Sequence, residues 1–183
     1  VGEVTATISG IDDFMGFVTV SRGYKGVGYN LTSNLSATEA SNFPVKRETS
    51  IDYEVGARTG WFDGRFILNA TAFWMDYNNF QTSSLAPSPP NPVNTFILTN
   101  IPSVRTRGVE IASTAWITDA LSANLNYAYT EATATDYPNG GCYGGQKLLS
   151  TAPATCSIGA GTQNLTGQTL PNAPKNKISA FVN

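Results

Sequence analysis

Histidine is absent from this 183-residue chain. Without it the Ser/His and Cys/His nucleophilic pairs and the histidine zinc sites cannot be assembled. A pair of carboxyls would have to serve as both acid and base, and no Asp/Glu spacing singles one out. The chain is therefore expected to catalyse no reaction and to hold no cofactor or metal. Its two cysteines, Cys142 and Cys156, have no CxxC neighbour. In a segment rich in Gly, Thr, Ser and Asn they read as one loop disulfide, hence an oxidising compartment. What remains is binding chemistry. Tyr24, Lys25 and Tyr29 set a cation among aromatics, which suits an anionic ligand or the packing of a strand end. Tyr143 and Lys147 lie between the cysteines. Closing such a loop is worth ~3 kcal/mol in the chain-entropy model, and the bridge either presents these two side chains or shields the loop. Asp52, Glu54, Arg58, Arg105, Arg107 and Glu110 form a charged set with two readings: a network that meets a moving partner, or structural cross-strand pairs worth ~0.2–1 kcal/mol each.

The elements that position these residues have period two. In Leu121–Thr130, Leu121, Ala123, Leu125, Tyr127 and Tyr129 alternate with Ser122, Asn124, Asn126 and Thr130, the signature of a strand with one oily and one wet face. Phe66, Leu68, Ala70, Ala72 and Trp74 repeat it against Asn69 and Thr71. Ile51, Tyr53, Val55, Ala57 and Trp61 repeat it against Asp52, Glu54, Gly56 and Arg58, and Val109 to Ile117 against Glu110, Ala112, Thr114 and Trp116. Val4–Ile8 and Ile178–Val182 are fainter, and Phe14–Tyr24 is strand-like with an ambiguous facing. Seven strands begin near Glu3, Phe14, Ser50, Arg65, Arg105, Ser122 and Asn176.

The connections alternate in length. Short turns fall at Gly10–Asp13, Asp63–Gly64 and Thr118–Ala120, and long links rich in Gly, Pro, Ser, Thr and Asn run over 25–47, 81–103 and 137–174. Soluble sandwiches seldom spend so much chain on every second connection. Up-and-down barrels of outer membranes do. The runs are long enough for the ~9 to 11 residues of a tilted crossing, and aromatics gather near their ends as interfacial girdles would. A polar lumen then accounts for Asp52, Glu54, Arg58 and Glu110, which would be costly in a dry core. Pro87–Pro92 forbids ladder pairing and reads as a stiff spacer. The net charge is −2 without a basic run, so no nucleic-acid footprint is present. No stretch approaches the ~18 apolar residues of a membrane helix, and any export signal would lie outside the chain. The expectation is an all-β chain: an antiparallel, up-and-down transmembrane β-barrel fragment of about seven strands from a larger barrel.

The order of local motifs resembles the barrel of TonB-dependent outer-membrane receptors. Ser21-Arg-Gly-Tyr-Lys-Gly26 is similar to an ascending strand of that family, and Glu48-Thr-Ser-Ile-Asp-Tyr-Glu-Val-Gly56 to its Glu-Thr...Tyr-Glu-x-Gly stretch. Trp61-Phe-Asp-Gly-Arg65 with Leu68–Tyr77 resembles a hairpin ending in Phe-Tyr-x-Asp-Tyr. Arg105-Thr-Arg-Gly-Val-Glu110 resembles Arg-x-Arg-Gly-Val-Glu, and Leu170-Pro-Asn-Ala-Pro174 the opening of a late strand. The resemblance covers nearly the whole chain and implies a late portion of one 22-stranded barrel domain spanning 1–183. The plug domain, the TonB-engaging motif and the terminal aromatic strand are not in it. It also implies the Gram-negative outer membrane, contact with its lipid, a TonB complex reached through the plug, and uptake of a ferric siderophore or similar chelate. Two other readings stay open: a passive porin, and a soluble secreted β-sandwich binding through Trp and Tyr.

Overall fold

The computed structural model describes residues 2–11, 13–30, 45–85, 96–142, 146, 156–157 and 161–183. Six long strands follow one another: β1 (Gly2–Ile11), β2 (Phe14–Lys25), β3 (Glu48–Trp61), β4 (Phe66–Leu85), β5 (Phe96–Thr118) and β6 (Leu121–Asp136). Three two-residue strands, β7 (Gly140–Gly141), β8 (Cys156–Ser157) and β9 (Thr162–Gln163), precede β10 (Asn176–Val182). The long strands and β10 make one seven-stranded antiparallel sheet in the order β1-β2-β3-β4-β5-β6-β10, and β7-β9-β8 a second, small one. Within the large sheet each strand pairs with the one before it, β10 following β6 across the link that holds β7–β9, which is the up-and-down meander that the alternating links predict. The short turns all lie at one rim, where Asp13 and Asp63 take φ near +58° and +54°. Asp tolerates that left-handed region because its side chain can bond its own backbone.

The pairing register sorts every side chain onto a face. Leu125 opposes Ala180 and Ser113; Leu68 opposes Ser113 and Thr59; Ala70 opposes Ile111 and Ala57. The odd residues of β3, β5 and β6 therefore share a face with the even residues of β1, β2, β4 and β10. The facing of β2 follows, with Val18 and Val20 on the aliphatic side and Phe17 and Thr19 on the other. Among the described residues no second layer covers the aliphatic side: Val4, Val18, Val55, Leu125 and Ile178 are all more than half exposed. A soluble sandwich would bury them, and an apolar patch of this extent on a single sheet needs lipid or a partner.

Two glycines of the family-like motifs have steric reasons. Gly56 sits directly across from Phe17, and Gly108 across from Phe73. A Cβ on Gly56 would collide with the Phe17 ring and the Ala70 carbonyl, and one on Gly108 with the Phe73 ring and the Tyr129 carbonyl. Each ring lies over the bare backbone of the next strand, so the polar face carries two aromatic–glycine cross-strand pairs.

Two links differ from expectation. The hairpin β4–β5 does not open at Gln81 but stays paired out to Leu85 and Phe96. Asn79, with φ near +54°, and Pro102 break the alternation just where the ladder leaves the band of aliphatic residues, so the pattern fades while the backbone pairing goes on. The last long link holds β7, β8 and β9, and its 165–175 portion runs beside β6 through Leu165 N to Tyr137 O, Gly167 N to Ala134 O and Leu170 N to Ala132 O, all within 2.9 Å. At that rim Ile101, Val104 and Ala134 pack with Tyr77, Phe80, Tyr137 and Leu170 into a compact apolar cluster.

In the intact barrel, Leu68→Arg should cost about 2–4 kcal/mol in a urea folding titration with lipid, while its chain neighbour Asn69→Arg, on the polar face, should cost under ~1. Gly108→Ala should lower stability by about 1–3 kcal/mol in the same titration.

Candidate functional site

The polar face is acidic. Glu3, Asp52 with Glu54, and Glu110 lie on it on the alternate strands β1, β3 and β5, with Thr5, Thr19, Asn69, Thr71 and Asn126 around them. Asp52 is only 7% exposed, and its Oδ1 has no hydrogen-bond partner. Arg58 shares the face with its guanidinium 6.0 Å from the Phe17 ring centroid, at the limit of a cation–π contact. Among the described residues no carboxylate of this wall forms an ion pair. A shallow trough of about 750 Å³ runs along the wall past Glu110, Asn126, Asn176 and Lys177.

Arg105 and Arg107 are not part of that set, which corrects the expectation of a single six-residue network. Their odd positions in β5 put them on the aliphatic side with Val109 and Ile111, one residue out of phase with Glu110. The rung Val55-Ala72-Val109-Tyr129 is followed by Tyr53-Trp74-Arg107-Glu131 and then Ile51-Asp76-Arg105-Thr133. Arg105 Nε donates to Asp76 Oδ1 at 2.8 Å, and Arg107 donates to Glu131 Oε2 at 2.8 and 2.7 Å through Nε and a terminal nitrogen. Trp74 lies between them, 4.4 and 5.4 Å from the two guanidinium carbons, and donates to Asp76 Oδ2 at 3.0 Å.

The rim residues divide as well. Tyr24 falls on the aliphatic side with Val20 and Arg22, while Lys25 falls on the polar side opposite Glu48. As strand neighbours they cannot grip one ligand together, contrary to their grouping by sequence. Tyr29, beyond the end of β2, is 77% exposed. Cys142 and Cys156 are bonded, with their Cα atoms 6.1 Å apart, and tie the start of the loop to β8. Tyr143 and Lys147 lie outside the described residues.

A set of amides was missed by sequence reasoning. Gln81, 7% exposed, donates from Nε2 to the carbonyls of Gly26 at 2.6 Å and Lys46 at 3.1 Å, while its own N–H donates to Glu48 Oε2 at 2.7 Å. Asn100 accepts from Lys46 N–H at 2.7 Å and donates to the Lys46 and Asn79 carbonyls. Asn30 pairs with both backbone groups of Leu98, at 2.6 and 2.9 Å. Carboxamides carry a donor and an acceptor as a peptide does, so these three stitch the two ends of the β2–β3 link to the tall hairpin. The signal was faint, because one polar residue in a loop looks like any other until its partner is known.

The family model for the TonB dependent receptor-like β-barrel matches residues 9–183. Among solved structures, the fold is similar to the ferric yersiniabactin uptake receptor FyuA from Yersinia pestis, with 19% identity and a TM-score of 0.65 over 98% of this chain and 22% of that one. It is also similar to the siderophore receptor PiuA from Acinetobacter baumannii, with 16% identity and a TM-score of 0.63 over 98% of this chain and 23% of that one. The pyoverdine outer membrane receptor FpvA from Pseudomonas aeruginosa matches at 14% identity and a TM-score of 0.58 over 98% of this chain and 21% of that one. The chain spans about a fifth of the length of these proteins. No curated protein matches the sequence.

Replacing Gln81 by Leu leaves the Gly26 carbonyl without its donor and the Lys46 carbonyl with the Asn100 amide alone. The expected cost is about 1–3 kcal/mol of local stability, read as faster amide exchange at residues 26–28 and 45–48 with no change in the sheet below Asn79.

Proposed function

Because the chain belongs to the TonB-dependent receptor β-barrel family, we propose that it is part of an outer-membrane receptor for active uptake of a ferric siderophore or similar metal chelate, energised through TonB. Members of this family are transport receptors rather than enzymes and reside in the outer membrane of Gram-negative bacteria. The long-loop rim is then the outer one and the short-turn rim the periplasmic one. Solved receptors to which the fold is similar are named for siderophores, which favours this cargo over other scarce nutrients.

The observation that carries the reading is the separation of charge across one sheet. The aliphatic side keeps its carboxylates paired with arginine, while the polar side holds Glu3, Asp52, Glu54 and Glu110 without ion pairs among the described residues. A buried carboxylate without a partner is costly. We assign the compensating cations to a plug domain elsewhere in the whole protein, held against Asp52, Glu54 and Glu110 and released from them when TonB pulls. A passive porin has no such occupant. Lys25 and Tyr29 at the long-loop rim, together with Tyr143 and Lys147 of the disulfide-closed segment, are assigned to the incoming chelate, whose negative charge suits lysine and phenol side chains. Tyr24 is left to the lipid interface.

In the intact receptor, Glu54→Gln with Glu110→Gln should lower TonB-driven uptake of labelled ferric chelate roughly tenfold while the barrel is still inserted, as expected when buried charge pairs lose a partner. Uptake by the unaltered receptor that continues in a strain without TonB would show a passive channel and overturn the proposal.

A further inference from the structure

We propose that Trp74, Arg105 and Arg107 form an outward-facing site for the phosphate of an anionic lipid headgroup. The site rests on the reading of the aliphatic face as the lipid-exposed one. On that face, Val, Ala, Leu and Ile give way to charge within one rung of the ladder, between Val55-Ala72-Val109 and Tyr53-Trp74-Arg107. Tyr53 and Trp74 are the side-chain types that settle where acyl chains meet headgroups. The two arginines stand at this level and one rung beyond it.

Their geometry is fixed before any ligand arrives. Arg105 lies over the Trp74 ring at 4.4 Å and is tied by Nε to Asp76; Arg107 lies 5.4 Å from the same ring and is tied to Glu131. Five side chains on three neighbouring strands hold one another, so little rotamer freedom is left to lose on binding. The ties do not exhaust the donors. Both terminal nitrogens of Arg105 and one of Arg107 have no acceptor among the described residues, and the two side chains are 38% and 48% exposed. Guanidinium groups take phosphate oxygens through paired, near-parallel hydrogen bonds. A soluble anion reaches the lumen or the loops, whereas the species that packs against a barrel's outer wall is lipid. Asp76 and Glu131 orient the guanidiniums and moderate their pull. With each guanidinium already ion-paired, the two arginines together add about the increment of one basic side chain at an anionic surface, about fivefold in binding.

The test uses the intact receptor in neutral detergent, with native mass spectrometry counting retained phosphatidylglycerol against phosphatidylcholine and inorganic phosphate as a third arm. Unaltered receptor should retain phosphatidylglycerol preferentially, and excess phosphate should leave it in place. R105Q with R107Q should lower that preference about fivefold or more, and R65Q, at the opposite rim, should not change it. E131Q, which frees Arg107 and keeps both guanidiniums, should raise it. Equal retention of the two lipids, displacement by free phosphate, or an unchanged preference in the double variant would overturn the proposal. Should the double variant not fold, E131Q decides, and absence of a rise counts against the site. Heat-modifiable migration on gels reports barrel formation for each protein, so a folded receptor without lipid preference refutes the site alone and leaves the membrane reading standing.

Discussion

A peptide group placed in hydrocarbon has no water to bond, and this one constraint governs the chain. It rules out isolated strands and irregular crossings and leaves a laterally bonded sheet with its edges passed on to further strands. β1 to β6 and β10 obey it rung by rung. Once every backbone group is spent on a neighbour, side chains have only two directions, and the sequence assigns one to oil and the other to water. The small buried core follows from the same source. The aliphatic residues that would fill a globular interior are turned outward, and the compact apolar cluster of Ile101, Val104 and Ala134 appears where the hairpin has left the lipid band.

Much of this was legible because period two is a strong signal. The seven strands of the large sheet, the three short turns and the direction of Leu68, Leu125 and Tyr127 are all visible in the alternation. Where it failed, the reasons are local. Arg105 and Arg107 drew attention as charges beside Glu110, but their odd numbering matches Val109 and Ile111, and phase outranks chemical kind in deciding the face. Tyr24 and Lys25 were grouped because they are adjacent, which on a strand means opposed. The upper part of β4–β5 was hidden by Asn79 and Pro102, which disturb the pattern without ending the pairing. The work of Gln81, Asn30 and Asn100 is directed at backbone carbonyls and amides far away in sequence, and composition carries no trace of that.

The motif glycines show a different relation between sequence and structure. Gly56 and Gly108 are recognisable as family features, but their reason is geometric: Phe17 and Phe73 need flat backbone opposite them, and the carbonyls of Ala70 and Tyr129 press from the side. Together with Arg58 near Phe17, these pairs set aromatic rings level with the acidic side chains, Phe73 opposite Glu54 and Phe17 on the rung of Glu110. The lumen surface is thereby both charged and shaped, which a row of serines and threonines would not achieve.

The overshooting hairpin separates outline from side-chain identity. Its rails are peptide bonds and three carboxamides, so Thr82, Ser83, Ser84 and Thr99 contribute little to its shape. Side chains at these four positions can therefore be exchanged while the outline of the hairpin stays the same. Outline and coat are in this way written in different alphabets, one in main chain and the other in side chains.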